Sequence, residues 1–376
     1  MTDDQGFGDL GINQNPNIIT PNIDKFANKS IQFNNFFVSP VCAPTRASLM
    51  TGRYSLRTGI RDTYNGGAIM SNNETTIAEI LKEANYATGI FGKWHLGDNY
   101  PFRPSEQGFD ESLIHLAGGI GQVGDFTNYY KGNTSYFDPI LWKNNKQNQY
   151  KGYCSDIFAE NAIEFIEKNK NNSFFCYLSF NAPHTPLQVP EKYYNMYKDL
   201  DPELGFKGES LALKMSKKDK EDARRIYGMV TNIDDNFGKV LNKLTELGIE
   251  EETIIIFMTD NGPQQFRYNS NMKGLKGTVY NGGTRVPFYI KYAEKFKNSK
   301  VISRMSAHID ILPTILELCN LKIPSDRKID GQSLVPLINS KTFNDRYLFS
   351  YWTRRFPEKY INMSIQNDNY KLVGNN

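Results

Sequence analysis

"EDARRIYGMVTNIDDNFGKVLNKLTELG", residues 221–248, runs after a short break into the apolar stretch "TIIIFM", residues 253–258. The first segment is a long helical pattern ended by Gly248, and the second reads as a strand. The same alternation recurs outward along the chain. "TIAEILKEANY" (76–86) is amphipathic and helical, and "ATGIF" (87–91) follows it. "CSDIFAENAIEFIEKNK" (154–170) carries Ile157, Phe158, Ala162, Ile163, Phe165 and Ile166 largely on one helical face, and the strand-like "FFCYLSF" (174–180) comes next. "VPFYIKY" (286–292) is a further strand, before "SAHIDILPTILELCN" (306–320), which contains helix. This order predicts an α/β fold with a mostly parallel central sheet sandwiched between helices. The last stretch, "NMSIQNDNYKLVGNN", predicts a hairpin with Asn367-Asp368-Asn369 as its turn. Residues 117–150, rich in Gly, Tyr and Asn, lack clear periodicity and predict a long loop or insertion where specificity contacts sit.

A chain of 376 residues buries roughly three quarters of its unfolded surface, enough for a large core. Hydrophobic content of 39% and charged content of 23% describe an ordinary globular protein, and a net charge of +3 is too small to imply nucleic acid or an acidic membrane. No apolar run approaches the roughly 18 residues that span a bilayer. Met1 is followed at once by the turn-rich "TDDQGFGDLG", with no strand or signal peptide ahead of it, so both termini read as cut.

The four cysteines lack metal-type spacing. Cys176 and Cys319 lie in apolar settings and read as buried structural thiols. Cys42 differs. In "VCAPTRASLMTGRY" (41–54), Pro44 suits the first helical position and Gly52 the stop, which places Cys42 just outside a helix N-terminus. Unpaired N–H groups and the helix dipole favour an anion there and ease ionisation of a thiol.

The apolar runs share polar ends. "ATGIF" leads into Gly92-Lys93-Trp94-His95, "CYLSF" into Asn181-Ala182-Pro183-His184, and "TIIIFM" into Thr259-Asp260-Asn261-Gly262. Ligands of open α/β sheets bind beyond the carboxyl ends of strands. Each cluster alone has an ordinary reading as turn or solvated surface; together with Cys42 they point to one composite site. The adjacent carboxylates Asp3 and Asp4 repel unless a cation or solvent screens them. With Asp260 and the Asn261 carbonyl they form an all-oxygen set suited to calcium or magnesium rather than zinc.

With these residues in hand, the chain resembles the formylglycine-dependent sulfatases of the alkaline-phosphatase superfamily. "CAPTRASLMTG" (42–52) matches the signature Cys-x-Pro-Ser/Thr-Arg followed by x4-Thr-Gly. The resemblance continues through "TDDQGFGDLG", "GKWHLG", "NAPHTPL", "TDNG", "GLKGTVYNGGTRVP" and "HIDILPT", nearly the whole chain in family order. It implies a catalytic domain over 1–343 that hydrolyses sulfate esters and, over 344–376, the start of a smaller C-terminal antiparallel subdomain that reads as truncated, with Cys42 oxidised to formylglycine by a maturation enzyme that reads Pro44 and Arg46. It further implies that Asp3, Asp4, Asp260, Asn261 and converted residue 42 hold a metal, usually calcium, with magnesium as the alternative. Arg46 would hold and polarise the formylglycine, while Lys93, His184 and Lys276 would bind sulfate oxygens. Lys276 is preferred to Lys273 because it precedes Gly-Thr. His184 or Lys276 would protonate the leaving alcohol, and His95 would take the proton whose loss expels sulfate. The implied substrate is a sulfated small molecule or glycan, and the implied location periplasmic or secreted. Only Met1 and Thr2 remain of the strand that precedes the paired aspartates in the family, which predicts unpaired neighbouring backbone and poor anchoring of Asp3 and Asp4.

Two other functions stay open at this stage: a phosphoester or phosphonate hydrolase of the same superfamily, and an inactive fragment that binds sulfated glycans. His115, His308 and Asp310 read as packing or helix-start groups, and Asp330-Gly331 as a turn. Tyr129, Tyr130, Tyr136 and Trp142 could stack on a sugar, though aromatic-rich loops more often pack on themselves.

Overall fold

The helix–strand alternation extends through the whole computed structural model, which describes residues 1–205, 214–354 and 356–374. Residues 206–213, 355 and 375–376 of the expected 1–343 and 344–376 units lie outside the described residues. The first half contains α1 (Pro21–Asn28), β1 (Ile31–Phe33), β2 (Phe36–Phe37), α2 (Cys42–Thr51), α3 (Ile77–Glu83), β3 (Ala87–Lys93), β4 (Glu111–His115), β5 (Ile140–Lys143) and β6 (Lys146–Gln149). Next come α4 (Cys154–Lys168), β7 (Phe174–Ser179), α5 (Glu191–Tyr194), α6 (Lys217–Glu246), β8 (Ile255–Met258), α7 (Asn281–Thr284) and β9 (Phe288–Lys291). The remainder is β10 (Lys300–Ile302), β11 (Ser306–Ala307), α8 (Ile311–Leu318), α9 (Val335–Ile338), β12 (Leu348–Tyr351), β13 (Met363–Gln366) and β14 (Lys371–Gly374).

Two sheets form the centre. One has the order β6-β5-β4-β3-β7, with β3 parallel to both β4 and β7 and an antiparallel flank at β5 and β6. The other has the order β10-β1-β9-β8, with β10 parallel to β1 and the remaining pairs antiparallel. Met1 and Thr2 join them. The Met1 amine donates to the Leu178 carbonyl at 2.9 Å, and the Phe180 N–H donates to the Met1 carbonyl at 3.0 Å. On the other side, Thr2 N–H donates to the Met258 carbonyl and Asp260 N–H to the Thr2 carbonyl, both at 3.1 Å. Asp3 and Asp4 are therefore anchored, against expectation: their N–H groups reach the Ala182 carbonyl and Asp260 Oδ1, both at 3.2 Å. Behind Met1, β7 and β8 border an apolar cavity of about 660 Å³ lined by residues such as Leu178, Ile256 and Phe257.

Helices cover both faces. On one, α4 and α6 bury Ile157, Phe158, Ala162, Phe165, Met229 and Ile233 against Phe91 and Leu113 of the sheet. On the other, α2, α3 and α8 bury Ala47, Met50, Ile77, Leu81, Leu312 and Leu316 with Ile90 and Ile290. Helix α6 starts earlier than its apolar pattern suggests, because Ser216 and Asp219 form a reciprocal capping box.

Three local expectations change. Cys42 lies within the first turn of α2, with Val41 as the cap, so Pro44 comes later in that turn. The stretch 117–150 holds the β5–β6 hairpin, whose central residues Asn144 and Asn145 have φ of 48° and 65°, the backbone of a type I′ turn. Asp330-Gly331 docks on the end of α2, where both N–H groups donate to the Gly52 carbonyl. The C-terminal antiparallel sheet β12-β13-β14 is present, and Asn367 Oδ1 accepts from Asn369 and Tyr370 N–H in its turn.

Candidate active site

The polar clusters converge because the strands that deliver them end together. Lys93 closes β3, Ser179 closes β7, and Asp260-Asn261 follow β8. Two glycines set the spacing. A Cβ at Gly92 would lie 1.8 Å from the Ser179 carbonyl oxygen, and one at Gly262 would lie 1.8 Å from the Gly282 carbonyl oxygen. Asp4 and His95 both adopt left-handed backbone, with φ of 58° and 60°, the kind of strain that surrounding structure must hold. Around Asp4 that support includes the buried Arg267, whose Nε donates to Asp9 Oδ1 at 2.8 Å and whose Nη2 donates to the Asp4 carbonyl at 3.0 Å.

Three carboxylates meet three cations. Lys93 Nζ lies 2.5 Å from Asp3 Oδ2, and Lys276 Nζ lies 2.6 Å from Asp4 Oδ1. Arg46 donates from Nε and Nη2 to Asp260 Oδ2 at 3.1 and 2.8 Å. Its Nη1 reaches the Lys93 carbonyl at 3.0 Å and Ser179 Oγ at 2.6 Å. Ligand atoms of Asp3, Cys42 and Asp260 lie within 4.8 Å of one another, as do those of Asp3, Asp4 and His184. Asp3 Oδ1, Asp4 Oδ2 and Asn261 Oδ1 are buried without a hydrogen-bond partner. Unsatisfied buried oxygens are costly, and a hard divalent cation is the ligand their chemistry fits.

The charge states follow from burial. Burial pushes Asp3 and Asp260 up to about 6, against the opposing pull of Lys93 on the former and Arg46 on the latter. Burial also works against the Asp4 charge, but Lys276 and His184 hold that carboxyl below the usual range. Lys276 is raised despite its burial, by Asp4 first, and stays protonated. His95 falls to about 3 through burial and the charge of Lys93, and His184 to about 3 through burial and Lys276. Both imidazoles are therefore neutral near pH 7. His95 Nε2 donates to the Thr63 carbonyl at 2.8 Å, leaving Nδ1 as a buried, unpartnered acceptor. His184 Nδ1 donates to the Thr185 carbonyl at 2.7 Å, and its Nε2 stands 3.7 Å from Asp4 Oδ2.

All ten residues singled out in the sequence, Asp3, Asp4, Cys42, Arg46, Lys93, His95, His184, Asp260, Asn261 and Lys276, belong to this one neighbourhood. Sequence reading missed Ser179, whose only signal was a polar residue at a strand end. It also missed Gly118 and Gly119. A Cβ at Gly118 would lie 2.8 Å from His95 Cε1, and one at Gly119 would lie 3.2 Å from His184 Cε1, so this loop roofs both rings. Tyr136 is fully buried and cannot stack on a sugar; its hydroxyl donates to the His184 carbonyl at 2.7 Å. Trp142 packs against the core beneath Arg103, while Tyr129 and Tyr130 are exposed. His115 hydrogen-bonds locally to the Leu116 carbonyl, and Asp310 accepts from Ala307 N–H at the start of its helical turn.

Residues 1–321 match the family described as sulfatase, and residues 275–375 match the C-terminal region of N-sulphoglucosamine sulphohydrolase. The chain belongs to the sulfatase family. It is a sulfuric ester hydrolase. N-acetylgalactosamine-6-sulfatase of Mus musculus is 31% identical over 383 residues, which cover 93% of this sulfatase and 67% of the relative. An ulvan-active sulfatase of Formosa agariphila is 31% identical over 357 residues, 90% of this chain and 64% of that one. The crystal structure of Ps i-CgsB superposes with a TM-score of 0.84 at 29% identity, covering 100% of this chain and 83% of that one. Sulfatases of this family use a formylglycine and a divalent cation, and the unpartnered oxygens of Asp3, Asp4 and Asn261 fit that need.

Proposed function

We propose that this sulfatase removes sulfate from a carbohydrate, using residue 42 after its conversion from cysteine to formylglycine. One observation carries the reading: three buried, unpartnered oxygens and three cations surround a cysteine in the first turn of a helix. The names of the relatives, among them an N-acetylgalactosamine-6-sulfatase, an ulvan-active sulfatase and a structure bound to k-i-k-neocarrahexaose, support a sulfated glycan as substrate.

Asp3, Asp4, Asp260 and Asn261 would hold the cation together with residue 42, calcium by preference and magnesium as the alternative. When bound, the ion would supply positive charge that acidifies a neighbouring hydroxyl and offsets charge on the sulfuryl group. The formylglycine would supply two geminal hydroxyls, one to attack sulfur and one whose deprotonation releases sulfate. The remaining work falls to ordinary side chains. Lys93, Lys276 and His184 bind the sulfate oxygens. Lys276 is the protonated candidate for donating to the leaving alcohol, because neutral His184 carries its one ring proton on Nδ1, where it is bonded to the Thr185 carbonyl. His95 Nδ1, unprotonated and free, accepts the proton from the second hydroxyl. Arg46 spends all three nitrogens on Asp260, Lys93 and Ser179, so it fixes these groups beside residue 42.

Cys42 and Arg46 are only 2% and 1% exposed, so a formylglycine-generating enzyme must act before the chain folds. Periplasmic or secreted residence is part of the same proposal. Among the described residues, no helix is long and apolar enough to cross a membrane. Mass spectrometry of the tryptic peptide Ser30–Arg46 tests the reading. Conversion exchanges the thiol sulfur and two hydrogens for one oxygen; an unmodified thiol throughout the population overturns it. Faster turnover of phosphodiesters than of aryl sulfates would favour the phosphoesterase alternative.

A further inference from the structure

Three distant segments meet at the rim beside Lys276 and His95. The Trp352 ring lies against Gly277, next to Lys276, where a Cβ would stand 3.0 Å from Trp352 Cζ3. Asn362 fastens this contact, its Nδ2 donating to the Gly277 and Trp352 carbonyls at 2.6 Å each and its Oδ1 accepting from Val279 N–H. Two residues on, the Arg354 guanidinium stands 4.9 Å from the centroids of both Trp352 and Tyr64. Its Nη1 donates to Asp62 Oδ1 at 3.2 Å and Thr63 Oγ1 at 3.1 Å. The carbonyl of that same Thr63 is the partner of His95 Nε2. Arg354 is thus one residue removed from the proposed base, and Trp352 one residue removed from the proposed acid.

The cation is braced but not used up. Nε and Nη2 make no hydrogen bond among the described residues, and the side chain is 52% exposed. Tyr64 is half-exposed beside it, and Arg61 stacks on the exposed Phe356 nearby. The ion pair joins this half-exposed guanidinium to the buried Asp62 through Nη1 alone, so the two-ring brace holds a cation whose remaining nitrogens are left for a ligand. A guanidinium fixed in orientation presents a fork that matches carboxylate or sulfate oxygens, while aromatic rings beside it offer a stacking face for a sugar.

We propose that Arg354, braced by Trp352 and Tyr64, is a second anion subsite that binds a carboxylate or sulfate on the sugar adjoining the one being desulfated. The preferred substrate is then a polyanionic oligosaccharide rather than an isolated monosulfated sugar. The proposal rests on the sulfate-ester reading of the main site.

The test compares sulfated disaccharides whose neighbouring sugar is neutral, carries a uronate, or carries a second sulfate. In the unaltered enzyme, kcat/KM should be about tenfold or more higher for a charged neighbour than for the neutral one, chiefly through KM. Arg354→Ala should bring that ratio close to one, and Arg354→Lys, which keeps charge without the fork, should restore only part of it. The uronate and sulfate arms distinguish the two sources of the anion. An unchanged ratio in Arg354→Ala overturns the subsite. Calorimetry on the Cys42→Ala protein supplies a readout free of turnover. There, Arg354→Ala should weaken binding of the charged-neighbour disaccharides about tenfold more than that of the neutral one. Equal weakening overturns the subsite, whereas release of no sulfate from any of the three disaccharides by converted enzyme overturns the sulfate-ester reading on which the subsite rests.

Discussion

On the proposed mechanism, the side chain at position 42 decides whether a catalytic cycle can close. A Cys42→Ser protein keeps a hydroxyl beside the cations but has no second one to expel sulfate, so it should give at most one turnover and retain a sulfated peptide by mass spectrometry. His95→Ala should behave differently. Attack on sulfur does not need Nδ1, so stopped-flow assays should show a burst of alcohol followed by a much slower steady rate. Lys276→Ala should lower kcat/KM by roughly 10²–10³-fold, because on the proposed mechanism it removes both a sulfate-binding charge and the proton donor. Away from the chemistry, His308 provides a pH test. Its Nδ1 donates to the Phe37 carbonyl at 3.2 Å, and its Nε2 lies 3.1 Å from Ser39 Oγ, from which the neutral ring accepts. Burial pushes its pKa from 6.5 down to about 3. Between those values the unfolded chain binds the extra proton, so stability falls as pH falls from 6.5. The share from this ring is at most about 1.4 kcal/mol per pH unit. Urea midpoints at pH 7.5 and pH 5 should differ less in His308→Gln than in the unaltered protein.

At the scale of elements, α6 works beyond its own length. Asp234 on this helix accepts from Asn22 N–H at 3.1 Å and Ile23 N–H at 2.7 Å, so it caps α1 from outside. Thr20, the residue in the capping position, makes no such bond. Asp234→Ala should cost about 1–3 kcal/mol in urea unfolding by leaving two helix-start donors unsatisfied, with Asp234→Asn milder. Nothing in residues 221–248 announces this duty, since the partner lies more than two hundred residues away. The apolar pattern of α6, by contrast, was legible because helical periodicity is local. The β5–β6 hairpin escaped notice for a related reason. Its strand β6 is exposed throughout, so it lacks the apolar alternation by which strands are recognised.

For the whole molecule, cation binding and folding stability are linked. Asp4 and Asp260 are 256 positions apart in sequence, yet Asp3, Asp4 and Asp260 are buried together, so a divalent ion that binds only the folded arrangement must stabilise it. Calcium at about 100 times its Kd should add about 2.7 kcal/mol, raising Tm by a few °C, and chelation should reverse this. An Asp260→Asn protein should respond far less in the same thermal scan. The α/β alternation, the helix opened by Cys42 and the polar strand ends were all readable from residues alone, because periodicity, helix stops and the Cys-x-Pro-x-Arg pattern depend on neighbours within about ten positions. Tertiary structure alone could decide that Met1 and Thr2 bridge two sheets, that Arg46 is consumed by Asp260, Lys93 and Ser179, and that Arg354 reaches the rim beside His95. Those facts depend on which strand edges meet and which charges share a buried volume, and contacts between residues hundreds of positions apart leave no periodic trace in a single sequence.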